Sequence, residues 1–179
     1  MAVTVRTATR DDAMAIARVR VDTWHAAYRG LIADSVLDAM DADAEGRRRA
    51  ERWSEFTAAA GSRQLVAEDD GQVVGWAAVG PSRDEDLPGG EVYAIYALPE
   101  RWSTGVGHAL LTAAEHALRE SGYAQAHLWV LVGNERAATF YERHGWREDG
   151  GAKVDDSFVA DALHERRRVR DLSAAVEAD

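Results

Sequence analysis

Val92-Tyr93-Ala94-Ile95-Tyr96-Ala97-Leu98-Pro99-Glu100-Arg101-Trp102-Ser103-Thr104-Gly105-Val106-Gly107-His108-Ala109-Leu110-Leu111, continuing to Leu118, reads as strand, turn and helix in succession. Val92 to Tyr96 is β-branched and aromatic, the composition of a strand. Pro99 has no N–H for a sheet ladder and biases Leu98 toward extended backbone, so the strand ends there. Val106, Leu110, Leu111, Ala114 and Leu118 then recur at helical spacing and give one apolar face. A helix starting at Gly105 turns its unpaired N–H groups and the positive end of its dipole back on the turn. Gly105 and Gly107 let a ligand approach the backbone closely, and Ser103 and Thr104 add hydroxyls. The turn is therefore a site for a phosphate or pyrophosphate, or an ordinary helix start with glycine for packing.

The chain has 179 residues, of which 46% are hydrophobic, enough for one domain with a sizeable core. No stretch nears the ~20 apolar residues of a membrane span, and no leader pattern opens the chain, so the expected compartment is the cytoplasm. The absence of cysteine excludes disulfides, thiolate metal sites and a cysteine nucleophile. A net charge of −10 argues against non-specific nucleic-acid binding and suits a cationic small molecule or peptide amine.

Outward from that central unit, Val3 to Thr7 alternates as a strand, and Thr9 or Asp11 can cap a helix reaching Tyr28. Gly30 stops it. Asp34 opens a small helix with Val36, Leu37 and Met40, and a longer helix runs from Ala44 to about Ala60. The Arg47-Arg48-Arg49 run within it reads as a solvated face. Gln64 to Glu68 and Gln72 to Val79 flank Asp69-Asp70-Gly71, a strong hairpin signal. Gly80 to Gly90 is a polar loop carrying Asp84, Glu85 and Asp86. After the central helix, Ala126 to Leu131 is a strand and Glu135 to His144 a short helix closed by Gly145. Trp146 to Glu148 begins another strand, residues 149 to 160 read as a loop, Leu163 to Val169 as the last strand, and the tail from Ser173 as frayed. The order predicts one α/β (α+β) domain over 1–179, with its core at about 3–170. Its central sheet is mixed and mostly antiparallel, with helices on both faces. The connection from residue 91 to 131 is long enough for a crossover, which makes its two strands parallel.

Three segments in register make the chain resemble the GNAT superfamily of acetyl-CoA-dependent N-acetyltransferases. Ala97-x-Pro99 with Gly105-x-Gly107 is similar to the family's pyrophosphate segment. Asn134-x-x-Ala137-x-x-Phe140-Tyr141-x-x-x-Gly145-Trp146 is similar to its asparagine–tyrosine segment, and Val5-Arg6-x-Ala8-x-x-x-Asp12 to its opening strand and helix. The resemblance covers roughly residues 3 to 170. One departure stands in the turn: Trp102 occupies a position the family usually fills with Arg or Gln, with Arg101 one place earlier. Arg101 then either contacts the pyrophosphate or points away.

The resemblance implies that the central strand and its parallel partner splay apart. Ile95 and Ala97 would hold the pantetheine arm of acetyl-CoA through their backbone, and Trp102, Ser103, Thr104, Gly105, Val106, Gly107 and His108 its phosphates. Asn134 would hold the arm or serve as a plain N-cap. Tyr141 matches the tyrosine that protonates the leaving thiolate, a task suited to a phenol of pKa about 10; the alternative is a packing role. An acceptor ammonium must lose its proton before attack, and Glu91 is the candidate general base, or else a solvent-facing strand-end carboxylate. Trp24, Tyr28 and Tyr93 would line the acceptor pocket, with the 80–90 loop opposite. His108 and His127 read as structural beyond this, and no His, Asp and Glu spacing suggests a metal. The implied reaction is direct acetyl transfer to a primary amine; the rival is an acyl-CoA-binding module without chemistry. Family members are often dimers, so the resemblance also allows a homodimer.

Overall fold

The computed structural model describes residues 3–84, 86–155 and 162–173. Glu85, residues 156–160 of the expected loop, and the tail beyond Ser173 lie outside the described residues. The strands are β1 (Thr4–Thr7), β2 (Arg63–Asp69), β3 (Gln72–Pro81), β4 (Gly90–Ala97), β5 (Gln125–Leu131), β6 (Arg147–Asp155) and β7 (Leu163–Asp171). They form a 7-stranded sheet in the order β1-β2-β3-β4-β5-β7-β6. Every neighbouring pair is antiparallel except β4 and β5. The helices are α1 (Ala13–Ala27), α2 (Asp34–Asp38), α3 (Ala42–Glu51), α4 (Val106–Glu120) and α5 (Glu135–Arg143). Helix α4 is the crossover that makes β4 and β5 parallel.

The apolar stripe of α4 covers one face of the sheet. Val106, Leu110, Leu111, Ala114 and Leu118 pack with Val79, Val92, Leu128 and Val130. A Cβ at Gly75 would come within 2.8 Å of Leu110 Cδ1, so glycine on β3 is what lets α4 lie this close. On the other face, Ile16 and Val19 of α1 meet Val66, Trp76 and Ala78. The first strand is tied to this helix by Arg6, which pairs with Asp12 at 2.8 Å and with Glu68 at 2.7 Å. Thr9 caps a short 3-10 turn, Arg10–Asp12, that leads into α1.

Two sequence expectations change. The helix expected to reach Ala60 ends at Glu51 and gives way to a 3-10 turn over Trp53–Thr57. No glycine or proline marks that break; it goes with the packing of Trp53 against the sheet and of Phe56 against Arg49. The loop expected from residue 149 is instead a bulge. Between Glu148 and Ala152 the register shifts, Gly150 takes a φ of 86°, and β6 then continues beside β7 to Asp155. The Asp149 carboxylate holds the bulge by accepting from Gly151 N–H at 2.9 Å and pairing with Arg167 at 2.8 Å.

Candidate active site

Strands β4 and β5 pair only at Gly90 with Ala126 and Glu91 with His127. Beyond that rung they part, and a cavity of about 1580 Å³ lies against both, lined by residues 91–97 on one side and 128–131 on the other. A β-bulge at Tyr93 goes with the separation: Ala78 faces Ala94 while Val79 faces Val92. Leu98 N–H donates to Val74 C=O at 2.9 Å. By the two-residue alternation of an antiparallel ladder, Tyr96 and Ala94 share that bonding to β3, and Ile95 and Ala97 turn their backbone groups toward the opening. The Ala97 carbonyl is already engaged, accepting from Trp102 Nε1 at 2.9 Å and from Thr23 Oγ1 at 2.9 Å.

The glycine turn closes one end of the opening. Gly105 is the N-cap of α4 with a φ of 96°, and a Cβ there would meet nothing within 4 Å. Ser103, Gly105, Gly107 and His108 line the cavity, as do Trp102 and Asn134. Thr104 and Val106 do not. The Thr104 hydroxyl donates to the Arg101 carbonyl at 2.8 Å, and the Val106 side chain is buried in the core, which leaves its backbone as its only part at the turn. Arg101 lines the cavity too, with its guanidinium paired to Asp69 at 2.6 Å. Trp102 instead locks the turn to the end of β4 and carries the Arg136 guanidinium 4.2 Å above its ring. Asn134 caps α5 by accepting from Ala137 N–H at 3.1 Å. His108 Nδ1 lies 3.0 Å from His144 Nε2, so this histidine joins α4 to the end of α5.

Tyr141 is buried on α5 beside Phe140 and Trp146, with its phenol still on the cavity wall. Burial, with Tyr96 nearby, pushes that phenol far above its ordinary value, so it holds its proton at any working pH. The packing and functional roles proposed for it are thus compatible.

Glu91 is not solvent-facing. It is 1% exposed, because its side chain turns into the vertex of the opening. Arg83 closes over it, donating its backbone N–H to Oε2 at 2.8 Å and its guanidinium to Oε1. His127, opposite on β5, brings Nε2 to 3.8 Å from the Glu91 carboxylate and donates to Asp84 at 3.1 Å. Trp129 Nε1 donates to the same Asp84 oxygen at 2.9 Å. Burial lifts the Asp84 carboxyl, but Trp129, Lys153 and His127 outweigh it and hold the group below its usual value. Burial also pushes the His127 imidazole below its usual value, against the pull of Glu91 and Asp84. The donor atoms of Asp84, Glu91 and His127 lie within 4.8 Å of one another, a grouping hidden in the sequence. Arg83 already holds the Glu91 oxygens, a partner that any cation would have to displace.

The acceptor-side aromatics also border the cavity. Trp24 is 8% exposed, packed with Ile32 and with Leu37 of α2. Tyr28 meets its ring edge-on at 5.0 Å. Tyr93 donates to the Pro81 carbonyl at 2.5 Å, which ties the bulge to the 80–90 loop. Sequence reading missed Arg83 and Arg49. Arg49 leaves the solvated run entirely, buried between Trp76 at 4.4 Å and Phe56 at 4.8 Å. For the acid–base cluster the signal was the alternation of His127 and Trp129 on one face of β5; for Arg49 there was none.

A mixed sheet split at a bulged strand, with a glycine-started helix at the mouth of the split, defines the class of acyl-CoA-dependent transferases. The chain belongs to the acetyltransferase (GNAT) family, whose model matches residues 20–146; its members are acetyl-CoA-dependent N-acetyltransferases. Over 148 residues it is 35% identical to the uncharacterized N-acetyltransferase YuaI of Bacillus subtilis (strain 168), covering 79% of both chains. It is 34% identical over 146 residues to the mycothiol acetyltransferase of Streptomyces griseus, covering 80% of this chain and 43% of that protein. Among solved structures, a GCN5-related N-acetyltransferase from Rhodopseudomonas palustris shares the fold with a TM-score of 0.74 at 18% identity, covering 96% of both chains. PaiA N-acetyltransferase from Thermoplasma acidophilum, solved with coenzyme A, gives a TM-score of 0.66 at 20% identity and covers 92% of this chain and 98% of that one. No helix among the described residues is long and apolar enough to cross a membrane.

Proposed function

We propose that this protein moves the acetyl group of acetyl-CoA directly to a primary amine of a small molecule or peptide. The observation that carries the reading is the opening between β4 and β5, which runs from a buried carboxylate–imidazole cluster to the free N–H groups of a helix start. The open space where a Cβ at Gly105 would stand fits a phosphate approaching the backbone. Ile95 supplies N–H and C=O to the pantetheine arm; Ala97 supplies only its N–H, since both lone pairs of its carbonyl are taken.

The thioester supplies an activated acyl group with a thiolate leaving group. A backbone N–H of β4 polarises the carbonyl that is attacked. Glu91, through water, takes the proton from the acceptor ammonium. Tyr141, which burial keeps protonated, donates its proton to the departing sulfur. The acceptor enters between Trp24 and Tyr28 on one side and Tyr93 with the 80–90 loop on the other. The reaction takes place in the cytoplasm.

Calorimetric titration with acetyl-CoA, with ATP and NAD as controls, tests the donor half, and an amine screen under saturating acetyl-CoA tests the acceptor half. One-site binding of acetyl-CoA alone, followed by amine-dependent CoA release, is the expected result. Binding without release by any amine would leave the acyl-CoA-binding module as the better reading.

A further inference from the structure

Arg49 is a charged side chain that the mechanism above does not use. It is 7% exposed, yet it lies on the wall of the main cavity beside Arg20, Gln64 and Trp76. Its guanidinium is sandwiched between the rings of Trp76 and Phe56. Among the described residues, neither Nε nor Nη1 has a hydrogen-bond partner. The carboxylate that pairs with it, Glu45, stands 3.9 Å from Nη2 and is committed to Arg20 at 2.6 Å. Two guanidiniums thus share one carboxylate, and Glu55, which also lines this end of the cavity, is paired with Arg52 at 2.5 Å. Buried cations without hydrogen-bond acceptors are costly, and the fork of a guanidinium matches a planar oxyanion. Trp76 in turn packs on Tyr96 at 5.8 Å between ring centroids, and both rings line the cavity with Arg49.

We propose that Arg49 is the anchor for a carboxylate on the acceptor, so that the amines this protein acetylates are amino acids or amino-acid-like compounds. The proposal rests on the amine-transfer reading for its substrate class, but the anion subsite itself can be tested without turnover.

The test pairs each amino acid with the amine left by its decarboxylation, such as L-leucine with isoamylamine and L-phenylalanine with phenethylamine. With saturating acetyl-CoA, kcat/KM is expected to favour the acid by about 30-fold or more, the scale set by a buried charged hydrogen-bond pair. In Arg49→Met that ratio should collapse toward one through KM, and Arg49→Lys should recover part of it. Equal use of both members by the native protein, or an unchanged ratio in Arg49→Met, overturns the proposal. A second readout is independent of catalysis: N-acetyl amino acids, the product class, should raise the Tm of the native protein and not that of Arg49→Met, with acetyl-CoA as the positive control. If acetyl-CoA shifts Tm and no N-acetyl amino acid does, the subsite is refuted while the donor site stands. If they do shift it through Arg49 but no amine is acetylated, the subsite stands and the transfer reading falls.

Discussion

Glu91 and His127 face one another across the rung where β4 and β5 last pair, with 3.8 Å between the carboxylate and the imidazole Nε2. Past this rung the two strands diverge, so Glu91 sits at the vertex of the cavity with His127 behind it.

Glu91→Gln should therefore lower kcat/KM at pH 7 by about 100-fold, the usual scale of a general base. Activity should recover as the pH nears the acceptor's own ammonium pKa of about 10, where no base is needed. A pH–rate profile of both proteins checks this; a parallel loss at every pH would assign Glu91 a structural role.

The same cluster predicts a stability effect. The folded protein holds His127 below its ordinary pKa, so the unfolded chain binds the proton more readily. That contribution is complete above about pH 6.5, the unfolded value, and is lost as pH falls toward the folded one. Native protein should lose stability on going below pH 6.5, and His127→Gln should flatten that limb in urea titrations taken at a series of pH values.

Tyr141→Phe should reduce kcat by about 10²-fold while acetyl-CoA affinity, read by calorimetry, stays within about twofold. The ring keeps its packing with Phe140 and Trp146, so the Tm should scarcely move. An unchanged kcat would remove the proton-donor role.

Gly105→Ala should cost about 1 kcal/mol in folding, since an L-residue at a φ of 96° is strained even with open space around its Cβ. It should weaken acetyl-CoA binding more than it weakens the fold, because the added methyl would fill the open space proposed for the phosphate. Denaturant melts and calorimetry on the one variant separate the two effects.

Asp12 is held down to about 2, first by its hydrogen bonds from Arg6, against burial, and then by Thr9 N–H. A depressed carboxyl stabilises the fold above its ordinary value of 3.8 and stops doing so as pH falls through the folded value. Asp12→Asn should cost about 1–2 kcal/mol at neutral pH, after allowance for the partly exposed Arg6, and progressively less as pH falls from 3.8 toward about 2. Acid titrations followed by circular dichroism measure the difference.

The local chemistry of the chain was enough for most of its elements and their order, though not for the end of α3 or the bulge in β6. The alternation of β4, Pro99, the glycines of the turn and the 3.6-residue stripe of α4 are properties of neighbouring residues, and so is the length of the crossover that makes β4 and β5 parallel. Gly-x-Gly and the asparagine–tyrosine segment pointed to the family because each is a short run of residues at fixed spacing. Tertiary structure decided what depends on residues far apart in the chain. The bulge at Tyr93 and the parting of the strands arise from a register against β3. The burial of Glu91 depends on Arg83 folding over it and on His127 arriving from the next strand. Arg49 looked like one of three solvated arginines until the early end of α3 set it between Trp76 and Phe56. Hydrophobic periodicity reports which face of an element is covered, but the identity of a charged group's partner is set only when the sheet brings distant strands side by side.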